Sequence, residues 1–157
     1  MSKSLSVVNG DLTVEAGRQF DTVRGINKLK QDLHLHILEH IGTDPSTPSY
    51  GSTLDGGRQD DGTDIPSFIG QLMSEERASD ARAEILRVLT RYQQDQLEKM
   101  KRESIQFRGQ HTLEAGEVIH RIDSVVSRIV GTTIIVQAIL TTLNNQAVKI
   151  TIPIEAV

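Results

Sequence analysis

The apolar residues are spaced differently at the ends and in the middle of the chain, which predicts strands at the ends and helices between them. Near the start, apolar runs at residues 5–8 and 12–14 flank Asn9-Gly10, a dipeptide typical of a two-residue hairpin turn. Apolar residues then recur at steps of three and four, which predicts a helix that ends near Gly42: Ile26, Leu29, Leu33, Ile37 and Ile41.

A second, longer helix is predicted over residues 74–104. Its apolar residues share one stripe: Ala78, Ala81, Ile85, Val88, Leu89, Tyr92 and Met100. Acidic residues stand near its start and basic residues near its end, the order that suits the helix dipole. Beyond Gln96 the stripe thins, so we expect the final two turns to project into solvent.

The segment between the two helices, about residues 43–64, is rich in Gly, Asp and Pro and offers little to bury. Loops of this length are usually functional or disordered. We expect a long irregular loop here, followed by a short helix near Pro66 whose apolar side holds Ile65, Ile69 and Leu72.

The last third of the chain favours strands. Val118, Ile122 and Val126 alternate with polar neighbours, and Asn144-Asn145 offers a turn between two further strands. One face of these two strands carries the apolar residues Ile134, Val136, Ala138, Leu140, Val148, Ile150, Ile152 and Ile154, whereas Lys149, Thr151 and Pro153 line the other face of the last one. We therefore predict an α+β fold in a single domain over residues 1–157, with a small antiparallel sheet built from both ends and packed with two to three helices.

The closing strands carry signs of an edge that another strand could join. Pro153 has no N–H to give to a ladder, so its position marks an edge or a terminus. Apolar residues at Ile134-Ile135 and Ile139-Leu140 lie on both faces, which suggests cover on more than one side. A partner strand at this edge would gain main-chain hydrogen bonds, and its alternate side chains would give specificity. An ordinary edge strand within the fold explains the same pattern, and both readings stay open.

Composition narrows the classes of function. The apolar fraction is 37%, aromatic residues make up 3%, and the formal charge is −4, which gives no electrostatic case for binding nucleic acid or a membrane. Without cysteine the chain forms neither disulfides nor thiolate metal sites, which fits a reducing compartment and also an extracellular structure that needs no disulfides. The start of the sequence lacks a secretory apolar region, and no apolar run reaches the length of a membrane span. We expect a soluble protein made in a cytoplasm.

Candidate chemistry is sparse. His36 and His40 share a helix face with His34 nearby, but zinc needs three or four ligands and no HExxH pattern occurs, so we expect structural or solvated roles. The acidic pairs, Glu114 with Glu117 and the cluster near Asp60, lack an aromatic sugar platform, and the second lies in a Gly-rich loop. That loop also lacks the spacing of a calcium-binding EF-hand. We predict no enzyme, no cofactor and no metal site.

An ordered series of short segments resembles a known family. "GDLTVEAGRQFDTVRGINKLKQDLHLHIL" is similar to an opening of a short strand, a Gly and a helix that carries a Gln, here Gln31. "PSYGSTL" follows, similar to an aromatic-Gly-Ser/Cys-Leu segment, and "SVVSRIVGTTIIVQAILTTLNNQAVKITIPI" resembles the closing strands. In this order, over most of the chain, they resemble the baseplate wedge and tail-sheath initiator family of contractile phage tails and related injection machines.

The resemblance implies a protein that is not catalytic. Members of that family sit in the inner baseplate of the virion tail and offer strands that the first ring of sheath subunits joins by strand exchange. Carried onto this sequence, the accepting hairpin comprises residues 133–143 and 147–154. The residues expected at this contact are Ile134, Val136, Ala138, Leu140, Val148, Ile150, Thr151, Ile152, Pro153 and Ile154, and the four apolar ones of the last strand would hold it to its own body or to the sheath strand. The implied partners are the tail sheath protein, the baseplate wedge subunits and the tube or hub proteins, and assembly would take place in the host cytoplasm.

The sequence departs from that family at one motif and leaves other readings open. Family members carry a Glu-Pro-Arg triplet that docks on the central helical bundle of the wedge, whereas this chain reads "HTLEAGEVIHRIDSV" at that place. The nearest substitutes are Glu114 or Glu117 with Arg121. One family member long carried the name tail lysozyme, so a peptidoglycan-cleaving enzyme that uses these acidic residues is the alternative. A homo-oligomeric scaffold whose edges pair with themselves is a third reading.

Overall fold

A computed structural model describes residues 4–8, 11–13, 22–38, 69–70, 72, 74–106 and 112–155. Over these residues the chain forms two helices, α1 (Gly25–Leu38) and α2 (Glu75–Gln106), and seven strands. The strands are β1 (Ser4–Leu5), β2 (Val7–Val8), β3 (Asp11–Leu12), β4 (Thr22–Val23), β5 (Ile119–Val130), β6 (Thr133–Thr142) and β7 (Ala147–Glu155). Neither of these two helices is long and apolar enough to cross a membrane.

The predicted α+β class is confirmed, although the strands are arranged differently from the prediction. β5, β6 and β7 form a three-stranded antiparallel sheet in that order. The N-terminal strands pair with one another, β1 with β4 and β2 with β3, instead of joining the C-terminal sheet. The expected hairpin around Asn9-Gly10 is present in part, because Val8 pairs with Asp11, whereas the β1–β4 pairing was not predicted.

α1 begins at Gly25, whose φ of +55° is a left-handed conformation that glycine adopts at little cost. The predicted apolar stripe faces the interior, because Leu29, Leu33 and Ile37 are buried. Gln31 lies on another side of the helix, and its side-chain amide bonds to the N-terminal strands. Ile41 and Gly42, where the helix was expected to end, lie outside the described residues.

α2 begins after Ser74, whose Oγ accepts a hydrogen bond from the Arg77 N–H at 3.1 Å. All residues of the predicted stripe are buried except Met100, which is half-buried. Burial thins beyond Gln96 as expected, and Ile105 is 76% exposed. The last turns nevertheless carry a contact, because the buried Glu103 carboxylate accepts hydrogen bonds from the Thr112 N–H at 2.8 Å and the Thr112 hydroxyl at 2.6 Å.

β5 does not alternate evenly between its two faces. Its pairing with β6 slips between Ile119 and Arg121 and again between Ile122 and Ser124, the signature of β-bulges. A shift of one residue exchanges the two faces of a strand. As a result Val125 faces the core, whereas Val126, expected to be one of the alternating apolar positions, is 54% exposed.

One face of the sheet packs on both helices to form the core. α2 lies against β5 and β6, and α1 lies against β7. The eight apolar residues of β6 and β7 that were expected to share a face are all buried there. The predicted loop at 43–64, the segment "PSYGSTL" and most of the short helix expected near Pro66 lie outside the described residues. Ile69 and Gly70 form a turn, and Leu72 is exposed.

Candidate partner-binding edge

The β6–β7 turn determines which way the backbone groups of β7 face. The Thr142 N–H donates to the Gln146 carbonyl across the turn at 3.0 Å, and Asn145 adopts the left-handed φ of 60° that such turns need. Bonded and non-bonded pairs alternate along an antiparallel ladder, so the next pair, Thr141 with Ala147, is non-bonded. The N–H and C=O groups of even-numbered β7 residues therefore face β6, and those of odd-numbered residues face away from the sheet.

The β5–β6 hairpin independently indicates that the backbone groups of odd-numbered β7 residues face away from the sheet. Its two-residue turn begins at Gly131, whose φ is +61°, and such turns close on a hydrogen-bonded pair, here Val130 with Thr133. The backbone of Thr133 thus faces β5, and its non-bonded neighbour on β7, Glu155, faces outward. The Gly70 N–H indeed donates to the Glu155 carbonyl at 3.1 Å from outside the three-stranded ladder.

We call residues 147, 149, 151, 153 and 155 the outward row of β7. Pro153 belongs to this row, so its missing N–H removes no hydrogen bond to β6, which explains how a proline is tolerated inside a strand. Within the described parts of the chain, Gly70 is the only residue whose backbone bonds to the outward row. The N–H groups of Ala147, Lys149 and Thr151 thus bond to no backbone carbonyl among the residues that the structure describes.

The structure separates the residues predicted for the sheath contact into two groups. Ile134, Val136, Ala138, Leu140, Val148, Ile150, Ile152 and Ile154 are buried against the helices, so these side chains hold the hairpin to its own body. Thr151 and Pro153 are exposed and belong to the outward row. A partner at this edge would meet backbone groups and the exposed side chains. Lys149 and Ala147, which the predicted contact set omitted, share that row.

The second face of the sheet is partly apolar, but the cover that the doubled apolar pairs predicted for it is not seen among the described residues. Ile139 is 41% exposed, Val130 is half exposed, and Ile135 is half-buried on this face. Ile139 lies between Ser124 of β5 and Lys149 of β7, so polar and charged neighbours interrupt the apolar surface. This face alone does not define a ligand.

Glu117 ties the start of β5 to the start of α1. Its side chain is 1% exposed, and its carboxylate accepts hydrogen bonds from the Gly25 N–H at 3.3 Å and the Glu114 N–H at 3.4 Å. The Lys28 ammonium lies 3.7 Å from the same carboxylate and 2.9 Å from Asp32. Donors thus surround a buried carboxylate, and this arrangement suits a structural anchor.

Gln96 ties α2 to the same point. Its amide nitrogen donates to the Glu117 carbonyl at 2.7 Å, and its amide oxygen accepts from the Ile119 N–H at 2.9 Å. One turn earlier, the Gln93 amide donates to the His120 carbonyl at 2.6 Å. These two side chains satisfy backbone groups exposed where β5 begins. Sequence pattern had assigned neither residue a role, because a polar residue beside an apolar stripe is ordinarily solvated.

Tyr92 completes this polar cluster. Burial raises the pKa of its phenol above the ordinary value of 10.0, the negative charges of Asp32 and Glu117 raise it further, and a hydrogen bond with Gln96 lowers it. The ring lies 5.4 Å from that of His36 in a tilted arrangement. The phenol is therefore held neutral in the folded protein.

The three residues proposed to replace the docking triplet do not form one group. Glu117 is buried in its anchor, Glu114 is half-buried, and the exposed Arg121 pairs with Asp123 at 2.6 Å. The Asp123 carboxylate also accepts a hydrogen bond from the Thr141 hydroxyl. This bond is the main cause that lowers the pKa of Asp123, and together with the bond and charge of Arg121 it outweighs the desolvation of the carboxylate. A docking role stays a prediction, and only Arg121 presents an exposed charge for it.

The histidines offer no metal geometry among the described residues. His34 is exposed and His36 half-buried, and no three His, Asp or Glu side chains in the described part of the chain are placed to hold an ion. His40 and the acidic cluster near Asp60 lie outside it.

No family model, curated protein or solved structure matches this chain. The described residues form a small α+β fold whose three-stranded sheet ends in a proline-containing strand, β7, with three N–H groups that bond to no described backbone carbonyl.

Proposed function

We propose that this protein is a non-enzymatic component of a contractile tail baseplate, and that it nucleates the sheath by strand addition at the outer edge of β7. The observation that carries the proposal is the outward row, whose N–H groups at Ala147, Lys149 and Thr151 make no backbone hydrogen bond within the described chain. An extended segment placed beside it would gain main-chain hydrogen bonds and turn three strands into four.

Rigidity of the hairpin supports this role. The core face of β6 and β7 is fully packed, and the Gln96 and Glu117 contacts fix the start of β5 to both helices. A template that is already ordered loses little conformational entropy when a partner strand adds to it. Such an edge is suited to starting an assembly from flexible arms of other subunits.

Gln31, the glutamine of the opening segment, contacts the strands at the start of the chain. The Gln31 side-chain amide makes the two hydrogen bonds that a neighbouring strand would make. Its oxygen accepts from the Val7 N–H at 2.9 Å, and its nitrogen donates to the Leu5 carbonyl at 2.7 Å. These bonds tie α1 to β1 and β2, which precede the segment quoted for the resemblance, and they give Gln31 a structural role.

The partners proposed are the tail sheath protein at β7, and the wedge subunits and the tube or hub proteins on other surfaces of the molecule. The proposed location is the virion tail baseplate, after assembly in the host cytoplasm. Neither nucleic acid nor a membrane is proposed as a partner.

The proposal is tested with Thr151→Pro, which removes one outward N–H and leaves every bond between β6 and β7 in place. Particles assembled with this variant are imaged by electron microscopy. We expect baseplates without extended sheath, whereas Thr151→Val, which keeps the N–H, should give normal tails. Normal sheaths on Thr151→Pro baseplates would refute the proposal. Deleting residues 151–157 is a poorer test, because it removes Ile152 and Ile154 from the core.

A further inference from the structure

We infer that the outward row of β7 accepts a short strand of a different protein, that this strand carries an acidic residue opposite Lys149, and that pairing stops at Pro153. The inference rests on the proposed use of this edge and adds the length, the register and the charge of the partner. Three features of the edge carry it: its two ends, the one charged side chain between them, and the registers open to a second copy.

The edge is bounded at both ends. On one side the turn at Thr142 leads the chain into β7 at Ala147. On the other side Pro153 has no N–H, and the carbonyl of Glu155 is already bonded to Gly70. Residues 147–153 remain, which at a rise of about 3.4 Å per residue is about 20 Å of strand, or about five to seven partner residues.

Lys149 is the middle one of the three residues in this window whose N–H groups face outward. Its side chain is exposed on the face opposite the helices and makes no ion pair with any residue in the described ranges. Its neighbours across the sheet, Ile139 and Ser124, are uncharged. A partner residue paired with Lys149 points its side chain to the same face, where an opposite charge stabilises and a like charge destabilises the pair.

Symmetry argues against a second copy of this chain as the occupant. Among antiparallel pairings of two β7 strands that leave Pro153 outside the ladder, the one that uses all three outward donors of each copy matches Ala147 with Thr151 and Lys149 with its own counterpart. That register brings two ammonium groups directly opposite each other. An edge lysine is also a common means of preventing self-pairing. The strand that fits is therefore a foreign one with an acid at its centre.

The experiment measures amide hydrogen exchange by NMR on the full chain, alone and with two probes. One probe is a blocked heptapeptide of alternating threonine and valine with a central aspartate, and its twin carries a central lysine. In the free protein we expect rapid exchange at Lys149 and Thr151 and slow exchange at Ile150 and Ile152. The aspartate peptide should protect Lys149 and Thr151 and bind about 2- to 10-fold more tightly than the lysine peptide.

Two variants test whether pairing ends at Pro153 and whether the charge of Lys149 selects an acidic partner residue. Pro153→Thr restores a donor, so the footprint of the aspartate peptide should extend to the new amide at position 153 and its affinity should rise. Lys149→Glu should reverse the preference between the two peptides. An unchanged footprint and affinity for Pro153→Thr, or equal binding of both peptides to the wild type, would overturn the inference.

Other outcomes separate the inference from the proposed function. Protection that moves to Val125, Ser127 and Ile129 on β5, or that grows with the concentration of the protein alone, would contradict the inference. If the peptide protects Lys149 and Thr151 but purified tail sheath protein does not, the sheath proposal fails and the inference stands. If sheath protein protects amides beyond Pro153, the proposed function stands, and the inference that pairing ends at Pro153 is wrong.

Discussion

The Glu117 carboxylate accepts a hydrogen bond from the backbone N–H of Gly25 at 3.3 Å, although 92 residues separate the two in sequence. Gly25 is the first residue of α1, where N–H groups lack partners within the helix. A buried carboxylate at that point satisfies a donor and complements the positive end of the helix dipole. This contact joins the segment before β5 to the first helix.

Replacing Glu117 should therefore destabilise the fold. Glu117→Ala leaves the Gly25 and Glu114 N–H groups unsatisfied and the Lys28 ammonium without one of its two carboxylates, so we expect a loss of about 2–4 kcal/mol. Urea denaturation followed by circular dichroism measures it. Glu114→Ala is the control and should change the free energy of unfolding by less than about 1 kcal/mol. A tail lysozyme would instead lose muralytic activity in Glu114→Gln or Glu117→Gln without such a loss of stability.

Gln96 should contribute as much to the free energy of unfolding as an apolar core residue does. Gln96→Leu keeps the volume but leaves the Ile119 N–H and the Glu117 carbonyl without their bonds, which should cost about 2–4 kcal/mol. Gln94→Leu, on the exposed side of the same helix turn, should change stability little. Equal unfolding midpoints for the two variants in urea would show that water replaces the Gln96 amide.

Stability should fall at alkaline pH because of Tyr92. Its pKa is raised in the folded state, so the unfolded chain loses the phenol proton first, near pH 10. Stability linked to this group is fully present below that pH and falls by about 1.4 kcal/mol per pH unit until the folded phenol ionises. Tyr92→Phe should remove this part of the slope. In a Tyr50→Phe background Tyr92 is the only tyrosine, and phenolate absorbance should then rise together with unfolding.

The two faces of the sheet should respond differently to the same substitution. Ile152→Ala opens a cavity in the core and should cost about 2–5 kcal/mol. Ile139→Ala, on the half-exposed face, should cost less than about 1 kcal/mol. Thermal unfolding of both variants measures the difference. Comparable losses would mean that something covers the second face.

Gln31→Ala should loosen the N-terminal strands without unfolding the core. The change removes the bonds to the Val7 N–H and the Leu5 carbonyl, so the Val7 amide should exchange about 5- to 30-fold faster. Exchange at Leu33 in the same helix serves as the internal control and should stay slow. Faster exchange at both positions would place Gln31 in the core cooperative unit instead.

The spacing of apolar residues predicted a helix or strand correctly where one face of the element is buried along its length. The stripe from Ala78 to Tyr92 and the alternation from Val148 to Ile154 are read correctly, because each apolar residue there meets the core. The α+β class follows from those elements. The core-facing residues of β5 were harder to predict, because two bulges change which residues face inward and a bulge leaves no periodic pattern in the sequence.

The site was predictable only in outline. Pro153 indicated an edge, and the geometry of the two turns then places it in the outward row. Gly70 at the end of that row and Gln96 at the base of β5 could not be foreseen, since both contacts join residues distant in sequence. Glu117 was a candidate site residue because of its charge. Its burial depends on how α1 and β5 meet, which no local sequence pattern encodes.

The alternation along β7 also bears on how such a protein could diversify. Residues that hold the strand to the core and residues that a partner would meet occupy alternate positions, and their side chains never share a face. Substitutions at Lys149 or Thr151 can therefore accumulate without weakening the core. A lineage could exchange one partner for another at this strand while its hydrophobic interior stays the same.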